Sequence, residues 1–544
     1  MAARDRQSPV TENLLEIRNL TVDFHTSQGD VHAVRDISFH LDQGETLAIL
    51  GESGSGKSVS AAAIMNLIDS PPGFIRAGQA LYRGQDLLRM SAAERRDLQG
   101  RKIAMIFQDT LAHLNPVYAI GWQISEALKA HGVTGRITRA RTLELLDRVG
   151  IPSPERRIDD YPHQFSGGQR QRVMIAMALA LKPDILIADE PTTALDVTTQ
   201  AEILKLFKEL QSARGAAALF ITHDMGVVAE IADKVAVMRE GRIVETSTRD
   251  DVLTRPQHAY TRQLLEAAAL RAPRQAATAG KPLVEAINVT RTYRRRTGPF
   301  SYDAFSAVRD ASLTLRPGQT LGVVGESGSG KSTLARCLLR LEPIDGGRVL
   351  FEGQDMTARS DRELRTLRQR MQVVLQDPWS ALDPRQKVGN AIAEGLIIHG
   401  TPRPEALQKV AALLDMVGLS AQAAERYPHE FSGGQRQRIC IARALALEPD
   451  VLIADEPVSS LDVSIQAQLI DLFTELQRTI GFALMFITHD LRLAAAICDE
   501  IIVMRAGVIV EQGPPSDVLG NPQEPYTQEL VAAAPGGLKL EVAA

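Results

Sequence analysis

The chain has 544 residues, which is too long for a single hydrophobic core and predicts about three or four structural units. Its net charge of −5 and pI near 6.2 argue against a general nucleic-acid binder, which normally carries a strong basic excess. No stretch approaches the roughly 18 uninterrupted apolar residues of a membrane helix, and the N-terminus lacks the apolar core of a signal peptide. We therefore expect a protein of the cytosol that reaches any membrane through partners.

The first half opens with two strand-like runs, at residues 15–23 and 31–40. A short apolar run at residues 46–50 follows and has the character of a buried strand. The next eight residues, 51–58, read Gly-Glu-Ser-Gly-Ser-Gly-Lys-Ser, and residues 59–68 are predicted to form a helix. This octapeptide fits the phosphate-binding pattern G-x-x-x-x-G-K-[ST].

The residue types of this pattern follow from its chemistry. Glycines let backbone N–H groups point at the phosphates, the lysine adds a positive charge, and the serine offers a hydroxyl to Mg²⁺. A helix must begin where the loop ends, since its N-terminal N–H groups complete the anion site. A glycine-rich loop can be only a turn, but the same eight letters return between an apolar run (320–324) and a predicted helix (333–341). The residues predicted to bind ATP here are Gly51, Glu52, Ser53, Gly54, Ser55, Gly56, Lys57, Ser58, Gly325, Glu326, Ser327, Gly328, Ser329, Gly330, Lys331 and Ser332.

Further along the first half, residues 79–100 are polar and hairpin-like, and residues 103–107 form a predicted strand that ends at Gln108. Residues 120–150 carry apolar residues at helical spacing. The remaining predicted elements of this half are a helix at 169–181 and buried strands at 185–188 and 217–221. In the second half, a buried strand is predicted at 483–487.

Three more blocks occur in both halves and in the same order, which indicates an internal duplication. They are Phe-Ser-Gly-Gly-Gln-Arg-Gln-Arg (165–172 and 431–438), Ile-Ala-Asp-Glu-Pro (187–191 and 453–457) and Phe-Ile-Thr-His-Asp (220–224 and 486–490). The predicted boundaries are a first domain at 14–250, its extension at 251–270, a polar linker at 271–281, a second domain at 282–516 and its extension with the tail at 517–544.

These blocks resemble those of the ATP-binding cassette (ABC) ATPases, and the resemblance covers residues 14 to 535. It implies an α/β fold of two tandem P-loop ABC nucleotide-binding domains, each with a RecA-like core, an antiparallel β subdomain and a helical subdomain. Short C-terminal extensions complete the predicted chain. The Ser-Gly-Gly-Gln block resembles the family's signature motif, and its residues are Ser166, Gly167, Gly168, Gln169, Ser432, Gly433, Gly434 and Gln435.

The signature predicts how the two halves work together. Ser166 is placed to cap the helix that follows, which leaves its hydroxyl and the two glycine N–H groups for a γ-phosphate. Each half already has a phosphate loop of its own. We therefore expect the halves to face each other head to tail, with each ATP between the loop of one half and the signature of the other.

The resemblance assigns roles to further residues in pairs, one from each half. The predicted Mg²⁺ ligands are Ser58, Gln108 and Asp189 in the first half and Ser332, Gln376 and Asp455 in the second. The predicted catalytic residues are the bases Glu190 and Glu456, the γ-phosphate-sensing His223 and His489, and Gln108 and Gln376. Asp196 and Asp462 end the segments 194–196 and 460–462, which resemble the loop linking the two sites. Phe24 and Tyr293 are predicted to stack on adenine, the alternative being ordinary core aromatics.

Two features indicate a branch of the family. Residues 255–265 and 521–530 resemble the C-terminal region of the oligopeptide, dipeptide and nickel importer ATPases, although as bare sequence they fit amphipathic helices that cover a surface. Residues 114–116 and 381–385 resemble the loop that meets the coupling helix of a membrane subunit. The first half departs from the group at Thr110, which follows Gln-Asp where proline is usual.

The cysteines separate this chain from several single-cassette relatives, which carry a cysteine cluster in the tail for an iron–sulfur centre. Cys337, Cys440 and Cys498 lack the spacing of metal ligands and sit in apolar surroundings. They are predicted as small core residues in a reducing compartment, and no iron–sulfur cluster is expected.

The resemblance implies the ATP-hydrolysing motor subunit of a bacterial peptide importer, at the cytoplasmic face of the inner membrane. Its expected cofactors are ATP and Mg²⁺. Its expected partners are two transmembrane permease subunits, which contact it near Gln108 and Gln376, and a substrate-binding protein outside the membrane. No nucleic acid and no additional cassette chain are expected. The alternatives are a glutathione or nickel importer ATPase of the same group, or a soluble twin-cassette ATPase acting on ribosomes.

Overall fold

A computed structural model describes residues 13–26, 29–192, 195–212, 215–268, 280–296, 302–459 and 461–534. The chain divides into two compact units. The first consists of Met1–Leu195 and Thr199–Ala267, and the second of Asp196–Thr198 and Ala268–Ala544. Nearly all of the predicted linker, together with Ala194 and Ser460, lies outside the described residues.

The first unit contains two β-sheets. Its strands are β1 (Leu15–Thr26), β2 (Gly29–Leu41), β3 (Thr46–Leu50), β4 (Gly73–Tyr82), β5 (Gln85–Asp86), β6 (Ile103–Ile106), β7 (Ile185–Asp189), β8 (Ala217–Thr222), β9 (Lys234–Arg239) and β10 (Arg242–Thr248). A four-stranded sheet has the order β2-β1-β4-β5, and its strands are antiparallel. A six-stranded sheet has the order β10-β9-β3-β8-β7-β6 and is parallel except for β10.

Helices connect the strands of the first unit. They are α1 (Lys57–Ile64), α2 (Ala92–Leu98), α3 (Thr110–His113), α4 (Ile120–Lys129), α5 (Arg136–Arg148), α6 (Pro154–Arg157), α7 (Gly167–Leu179), α8 (Val197–Ser212), α9 (Met225–Ile231), α10 (Arg249–Thr254) and α11 (Ala259–Ala268). None of the helices in the described part of the chain combines the length and apolar character that a membrane span requires.

The second unit repeats this topology. Its strands are β11 (Val284–Arg296), β12 (Tyr302–Leu315), β13 (Thr320–Val324), β14 (Gly346–Phe351), β15 (Gln354–Asp355), β16 (Met371–Val374), β17 (Val451–Asp455), β18 (Ala483–Ile487), β19 (Glu500–Arg505) and β20 (Val508–Gly513). The sheet orders are β12-β11-β14-β15 and β16-β17-β18-β13-β19-β20. The helices are α12 (Lys331–Leu338), α13 (Asp361–Arg370), α14 (Pro378–Ala381), α15 (Val388–Ile398), α16 (Arg403–Met416), α17 (Gly433–Leu445), α18 (Val463–Ile480), α19 (Leu491–Ile497), α20 (Pro515–Val518) and α21 (Pro525–Ala533).

The parallel strands are mostly apolar because both faces of the sheet are covered. In β7, Ile185 and Ile187 belong to one core cluster, while Leu186 and Ala188 belong to the cluster on the opposite face. All five residues of this strand are buried. The three cysteines are also buried, as their apolar surroundings predict.

The carboxyl ends of these strands bring the predicted site residues to one edge of the sheet. In the first unit, β3 leads into the phosphate loop, β6 leads to Gln108, β7 ends at Asp189, and β8 leads to His223. The strands β13, β16, β17 and β18 do the same in the second unit. Parallel sheets of this kind bind their ligands at that edge.

Several predicted elements differ from the structure, and the helices predicted at 333–341 and 169–181 begin two residues earlier, at Lys331 and Gly167. The helix after the first phosphate loop spans Lys57–Ile64 and not residues 59–68, because it begins directly at the last glycine of the loop. The hairpin predicted at residues 79–100 holds only for the first part, where β4 pairs with β5. Residues 92–98 form α2, which a capping box between Ser91 and Glu94 starts. The helical region 120–150 is two helices, interrupted at 130–135.

Candidate active site

The first phosphate loop requires glycine at two close approaches. A Cβ added at Gly51 would lie 2.2 Å from the carbonyl oxygen of Met238, and one at Gly56 would lie 2.3 Å from that of Ala33. Gly56 also has φ +100, a left-handed conformation that glycine adopts without strain. The second unit repeats both approaches, at Gly325 and Gly330. The glycine spacing is therefore dictated by neighbouring backbone as well as by the ligand.

The loop lysine is buried and lies against the loop itself. Lys57 Nζ donates to the carbonyl oxygens of Gly51 (2.7 Å) and Glu52 (2.8 Å), and Lys331 Nζ makes the equivalent bonds at 2.8 Å each. Burial lowers the pKa of Lys331, although the carboxylates of its own unit act in the opposite direction. In both units the ammonium group is thus held against the loop by two backbone carbonyl oxygens.

The loop offers donors that fit a phosphate group. Ser55 Oγ and Ser329 Oγ are buried and have no hydrogen-bond partner within the described residues. Helices α1 and α12 begin at Gly56 and Gly330, and neither first turn receives a side-chain cap. Uncapped N–H groups at a helix start, an orphaned hydroxyl and a lysine together form an anion-binding site.

Two of the three predicted magnesium ligands of each unit, the serine and the aspartate, are in direct contact. Ser58 Oγ donates to Asp189 Oδ1 at 2.9 Å, and Ser332 Oγ donates to Asp455 Oδ1 at the same distance. Burial, helped by the neighbouring Glu190 charge and opposed by the Ser58 hydrogen bond, raises the pKa of Asp189 to about 6. Burial likewise raises the pKa of Asp455. A hydroxyl and a carboxylate are the hard oxygen donors that Mg²⁺ prefers, so the donor set fits this ion.

The two predicted catalytic glutamates have an unusual backbone. Glu190 has φ +45 and Glu456 has φ +46, a left-handed conformation that costs a residue with a side chain on the order of 1–3 kcal/mol. Their N–H groups donate to the carbonyl oxygens of Ile221 (2.9 Å) and Ile487 (3.0 Å). A hydrogen bond to the adjacent strand therefore accompanies the left-handed conformation of each glutamate. The strained backbone lies at the predicted catalytic residue itself.

Each of these carboxylates lies between a glutamine and a histidine. Gln108 Nε2 donates to Glu190 Oε2 at 2.9 Å, and His223 Nδ1 lies 3.3 Å from Glu190 Oε1. In the second unit, Gln376 Nε2 donates to Glu456 Oε2 at 2.9 Å, and His489 Nδ1 lies 3.4 Å from the same oxygen. The structure thus brings the predicted catalytic residues of each unit together.

The second unit shows the electrostatics of this group. Burial raises the pKa of Glu456, but the hydrogen bond and charge of His489 and the charge of Lys331 outweigh it, so the pKa is lowered. Burial lowers the pKa of His489, but the hydrogen bond that it donates to Glu456 and the charge of that carboxylate outweigh burial, so the pKa is raised. Both shifts favour an ionised glutamate beside a protonated histidine.

The signature serines cap their helices as predicted. Ser166 Oγ accepts a hydrogen bond from the N–H of Gln169 at 3.3 Å, and the glutamine side chain bonds back to the N–H of Ser166. Ser432 and Gln435 form the same capping box at the start of α17. Ser166 and Gly167 are exposed. The hydroxyl oxygen is thus occupied by the cap, and its proton remains the group that can meet an anion.

Other predicted residues lie on different elements. Phe24 is half-buried in β1, against Gly73, and Tyr293 is half-buried in β11, with the Arg291 guanidinium 4.8 Å from its ring centroid. Asp196 directly precedes α8, and Asp462 is the N-cap residue of α18.

Two contacts to the phosphate loop were not predicted from the sequence. The N–H of Gly241, in the turn between β9 and β10, donates to the Ser55 carbonyl oxygen at 2.9 Å. The hydroxyl of Tyr260, in α11, accepts a hydrogen bond from the N–H of Glu52 at 3.3 Å. The second unit repeats both contacts, at Gly507 and Tyr526. Nothing in the local sequence signals them, because the partners are far apart along the chain.

A phosphate loop, a strand-end Asp-Glu pair, a glutamine, a histidine and a capped signature helix, all present twice, define an ATPase of the ABC class. A family model described as "ABC transporter" matches residues 34–193 and 308–459, and the chain belongs to this family. A second model, "Oligopeptide/dipeptide transporter, C-terminal region", matches residues 244–294 and 510–537.

The relatives agree with both family models. The glutathione import ATP-binding protein GsiA of Escherichia coli O157:H7 is 47% identical over 558 residues, which cover 96% of this chain and 90% of the relative. The peptidoglycan transport ATP-binding protein YejF of Agrobacterium fabrum is 49% identical over 530 residues, which cover 96% and 97%. A solved dimeric ATP-binding cassette, bound to ADP and Pi in a post-hydrolysis state, is 27% identical with a TM-score of 0.40, covering 43% of this chain and 98% of that one.

The predicted family and branch are confirmed by the two family models and by the two sequence relatives. The chain is a twin-cassette ABC importer ATPase of the oligopeptide type, an enzyme that binds and hydrolyses ATP.

Proposed function

We propose that this chain is the motor subunit of a bacterial peptide importer and works at the cytoplasmic face of the inner membrane. The observation that carries the proposal is the glutamate of each unit, which lies between a glutamine and a histidine at the edge of the sheet where the phosphate loop begins. Its presence in both units supports two hydrolytic sites. The oligopeptide-type tails support the importer branch.

In each unit we assign the chemistry as follows. Lys57 and the loop N–H groups hold the phosphates, while Ser58, Asp189 and Gln108 hold Mg²⁺. When bound, Mg²⁺ neutralises phosphate charge as it develops. Glu190 accepts the proton of the attacking water. The equivalent residues of the second unit are Lys331, Ser332, Asp455, Gln376 and Glu456.

The neighbours of the glutamate control its position and charge. Gln108 fixes one carboxylate oxygen and His223 contacts the other, so side chains of the protein orient the base. The histidine also meets the γ-phosphate, and Phe24 and Tyr293 stack on adenine. In the second unit His489 has the role of His223.

Each reaction centre is composite in this proposal. The exposed Ser166 completes the site of the second loop, and Ser432 completes that of the first, while Asp196 and Asp462 link the two sites. The exposure of the signature serines and the presence of a phosphate loop in each half support this arrangement. Mutation of Ser432 should therefore impair hydrolysis of the ATP held by Lys57. An effect confined to the ATP held by Lys331 would contradict the arrangement.

The partners follow from the importer assignment. Two transmembrane permease subunits contact the segments after Gln108 and Gln376, including residues 114–116 and 381–385. A substrate-binding protein outside the membrane delivers cargo to them. No nucleic acid takes part, and no additional cassette chain is needed because both cassettes lie in one chain.

The cargo is proposed as a short peptide. The two relatives are named for glutathione import and for peptidoglycan transport. Glutathione is itself a tripeptide, and peptidoglycan carries short peptide chains, so peptide chemistry is what the two cargoes share. The finer choice between them belongs to the permease and the binding protein.

The test is to purify the chain from its natural membranes and to measure its ATPase activity in the recovered complex. We expect it to pellet with membranes, together with two hydrophobic subunits, and to be stimulated by short peptides. Stimulation by Ni²⁺ alone would overturn the peptide assignment, and stimulation by glutathione alone would narrow it to that peptide. Recovery only with ribosomes would overturn the importer function.

A further inference from the structure

Each C-terminal extension places a buried tyrosine against the phosphate loop of its own unit. Tyr260, in the first turn of α11, is 4% exposed, and its hydroxyl oxygen accepts a hydrogen bond from the N–H of Glu52 at 3.3 Å. Tyr526, in the first turn of α21, is 3% exposed and accepts from the N–H of Glu326 at 3.1 Å. The contact occurs in two units whose tails differ in sequence, which makes an incidental approach a poor explanation.

The loop residue whose N–H bonds to the tyrosine also contacts the loop lysine. The N–H of Glu52 donates to Tyr260, and the carbonyl oxygen of Glu52 accepts from Lys57 Nζ at 2.8 Å. Glu326 connects Tyr526 to Lys331 in the same way. One residue of the loop is thus fixed at its N–H by the tail and at its carbonyl by the lysine assigned to the phosphates. A change at the tail therefore acts on the same loop residue that contacts the lysine.

The tyrosine ring is itself held in place. The guanidinium carbon of Arg239, at the end of β9, lies 4.9 Å from the ring centroid of Tyr260. Arg505 lies 4.6 Å from the centroid of Tyr526. Burial raises the pKa of both tyrosines to about 12, so each remains a neutral phenol at physiological pH. A neutral phenol oxygen is a suitable acceptor for a backbone N–H.

The start of the tail helix is fixed to the same hairpin that touches the loop. In the first unit, Glu245 of β10 accepts hydrogen bonds from the N–H groups of Gln257 (2.8 Å) and His258 (3.0 Å) and from the Thr261 hydroxyl (2.6 Å). The turn that precedes β10 supplies the Gly241 N–H that binds the Ser55 carbonyl oxygen. The β9–β10 hairpin and the tail therefore contact the phosphate loop at two points.

We propose that Tyr260 and Tyr526 are positioning residues of the two nucleotide sites, and that each importer-type tail is a support of the phosphate loop as well as a cover for the surface. The inference rests on the proposed function, since it uses the assignment of Lys57 and Lys331 to the phosphates. Removal of the two hydroxyls leaves the loop N–H groups of Glu52 and Glu326 without this acceptor. The loop then spends less time in the conformation that binds ATP.

The test is the double variant Tyr260→Phe with Tyr526→Phe in the full chain, which removes two hydroxyl groups and keeps the rings. We expect the KM for ATP to rise by roughly 2- to 10-fold, the effect of one hydrogen bond at each site, while kcat stays within about twofold. Binding of a non-hydrolysable ATP analogue should weaken by the same factor. An unchanged KM and unchanged analogue affinity would overturn the proposal.

The matched control is Tyr82→Phe. Tyr82 is 5% exposed, lies in β4 of the antiparallel sheet, and donates its hydroxyl to Asp184 at 2.6 Å. Its loss should lower the thermal unfolding temperature and leave the KM unchanged. If Tyr82→Phe raised the KM as much as the double variant, the effect would be general destabilisation and the proposal would fail.

A third variant separates this inference from the proposed function. Lys57→Ala with Lys331→Ala should abolish ATP binding if the site assignment is right. Normal binding in that variant would overturn the assignment itself. Lost binding there, with a normal KM in the tyrosine variant, would overturn only the positioning role.

Discussion

The two units share the hydrogen bonds at the centre of the site and differ in the side chains around it. The serine–aspartate distance is 2.9 Å in both, and so is the glutamine–glutamate distance. Both glutamates have the same left-handed backbone. The serine–aspartate and glutamine–glutamate pairs of the two cassettes are therefore held alike, whereas the histidine contacts the other carboxylate oxygen in the first unit and the same oxygen as the glutamine in the second.

The segments after the two glutamines differ. In the first unit, the ring of His113 stacks on Phe107 with centroids 4.0 Å apart, and Tyr118 stacks on Trp122 at the same distance. In the second unit, Asp377 caps α14, and the guanidinium carbon of Arg436 lies 3.3 Å from the ring centroid of Trp379. These are the segments that we propose to contact the permeases. This difference fits the proposal that ATP is common to the two centres, whereas each segment contacts its own permease.

The tails also differ in how firmly they are held. Glu245 accepts three hydrogen bonds from the first tail, whereas Glu511 accepts two from the second, the N–H groups of Gln523 and Glu524. The Thr527 hydroxyl, equivalent to the third donor, has no hydrogen-bond partner within the described residues. The two units thus have the same predicted catalytic residues but different numbers of hydrogen bonds between the β hairpin and the tail.

The largest expected effect concerns the equivalence of the two centres. Glu190→Gln with Glu456→Gln should reduce ATP hydrolysis by roughly 10²- to 10⁴-fold, because glutamine cannot accept the water proton. ATP binding should persist, since the change keeps the side-chain volume. Phosphate release and retained nucleotide measure the two effects. Turnover near the wild-type rate would refute the assignment of the bases.

The single glutamate variants test the comparison directly. If both centres are active, Glu190→Gln and Glu456→Gln should have losses of similar size. An intact rate in one and a complete loss in the other would show that the matched geometry hides unequal function. The exposed Glu144→Gln serves as the control, because it makes the same chemical change on a helix surface.

A smaller effect is expected at the histidines. His223→Ala and His489→Ala remove a group that orients the carboxylate and do not remove the base, so we expect kcat to fall by about 10- to 100-fold. The KM for ATP should change less than kcat. Steady-state kinetics of each variant provide the measurement. A loss as complete as that of the glutamate variants would mean that the histidine itself transfers the proton.

The third prediction concerns the unequal tails. Glu245→Ala should lower the local stability of α11 by about 1–2 kcal/mol, and Glu511→Ala should lower that of α21 by less, because fewer hydrogen bonds are lost. Hydrogen exchange of the tail amides measures this, with about tenfold less protection for each 1.4 kcal/mol. Equal losses in the two tails would show that the third hydrogen bond contributes nothing.

The hydrogen bonds between Glu245 and the first tail should depend on pH. Burial raises the pKa of Glu245, but the accepted hydrogen bonds from Gln257, Thr261 and His258 outweigh it, and the pKa is lowered. A carboxyl with a lowered folded pKa stabilises above its ordinary value of about 4.5 and loses that contribution as the pH falls through the folded pKa. Protection of α11 should therefore drop in acid in the wild type and stay flat in Glu245→Ala.

Much of the centre was predictable because the motifs are local. The order of strand, loop and helix around Lys57 follows from eight consecutive residues, and the duplication confirms the pattern within one sequence. The parallel sheet then gathers the strand ends, which is why Gln108, Glu190 and His223 meet although they are far apart in the chain. The fold class and the grouping of these three residues could therefore be predicted from the sequence.

Other features could not be predicted from the sequence, and the reason differs from one to the next. The contact between Glu52 and Tyr260 joins residues 208 positions apart, and no local pattern marks it. The left-handed backbone of Glu190 arises from a hydrogen bond to a neighbouring strand. Helix α2 is different, since its polar surface hides the periodicity, yet the Ser91–Glu94 capping box was a readable signal that the hairpin prediction overlooked.

The smallest expected effect on the isolated enzyme tests the divergent segments. Trp122 and Trp379 are 41% and 57% exposed. Their replacement by alanine should change basal ATPase activity by no more than about twofold, as is usual for surface positions. Stimulation of ATPase activity by the assembled permeases should fall in both variants, because an exposed aromatic side chain is a typical anchor at a protein interface. Trp379→Ala could instead lower the basal rate tenfold. Its contact with Arg436 in the signature helix would then support the nucleotide site. In that case the second unit would not divide into a shared centre and a periphery specific to its partner.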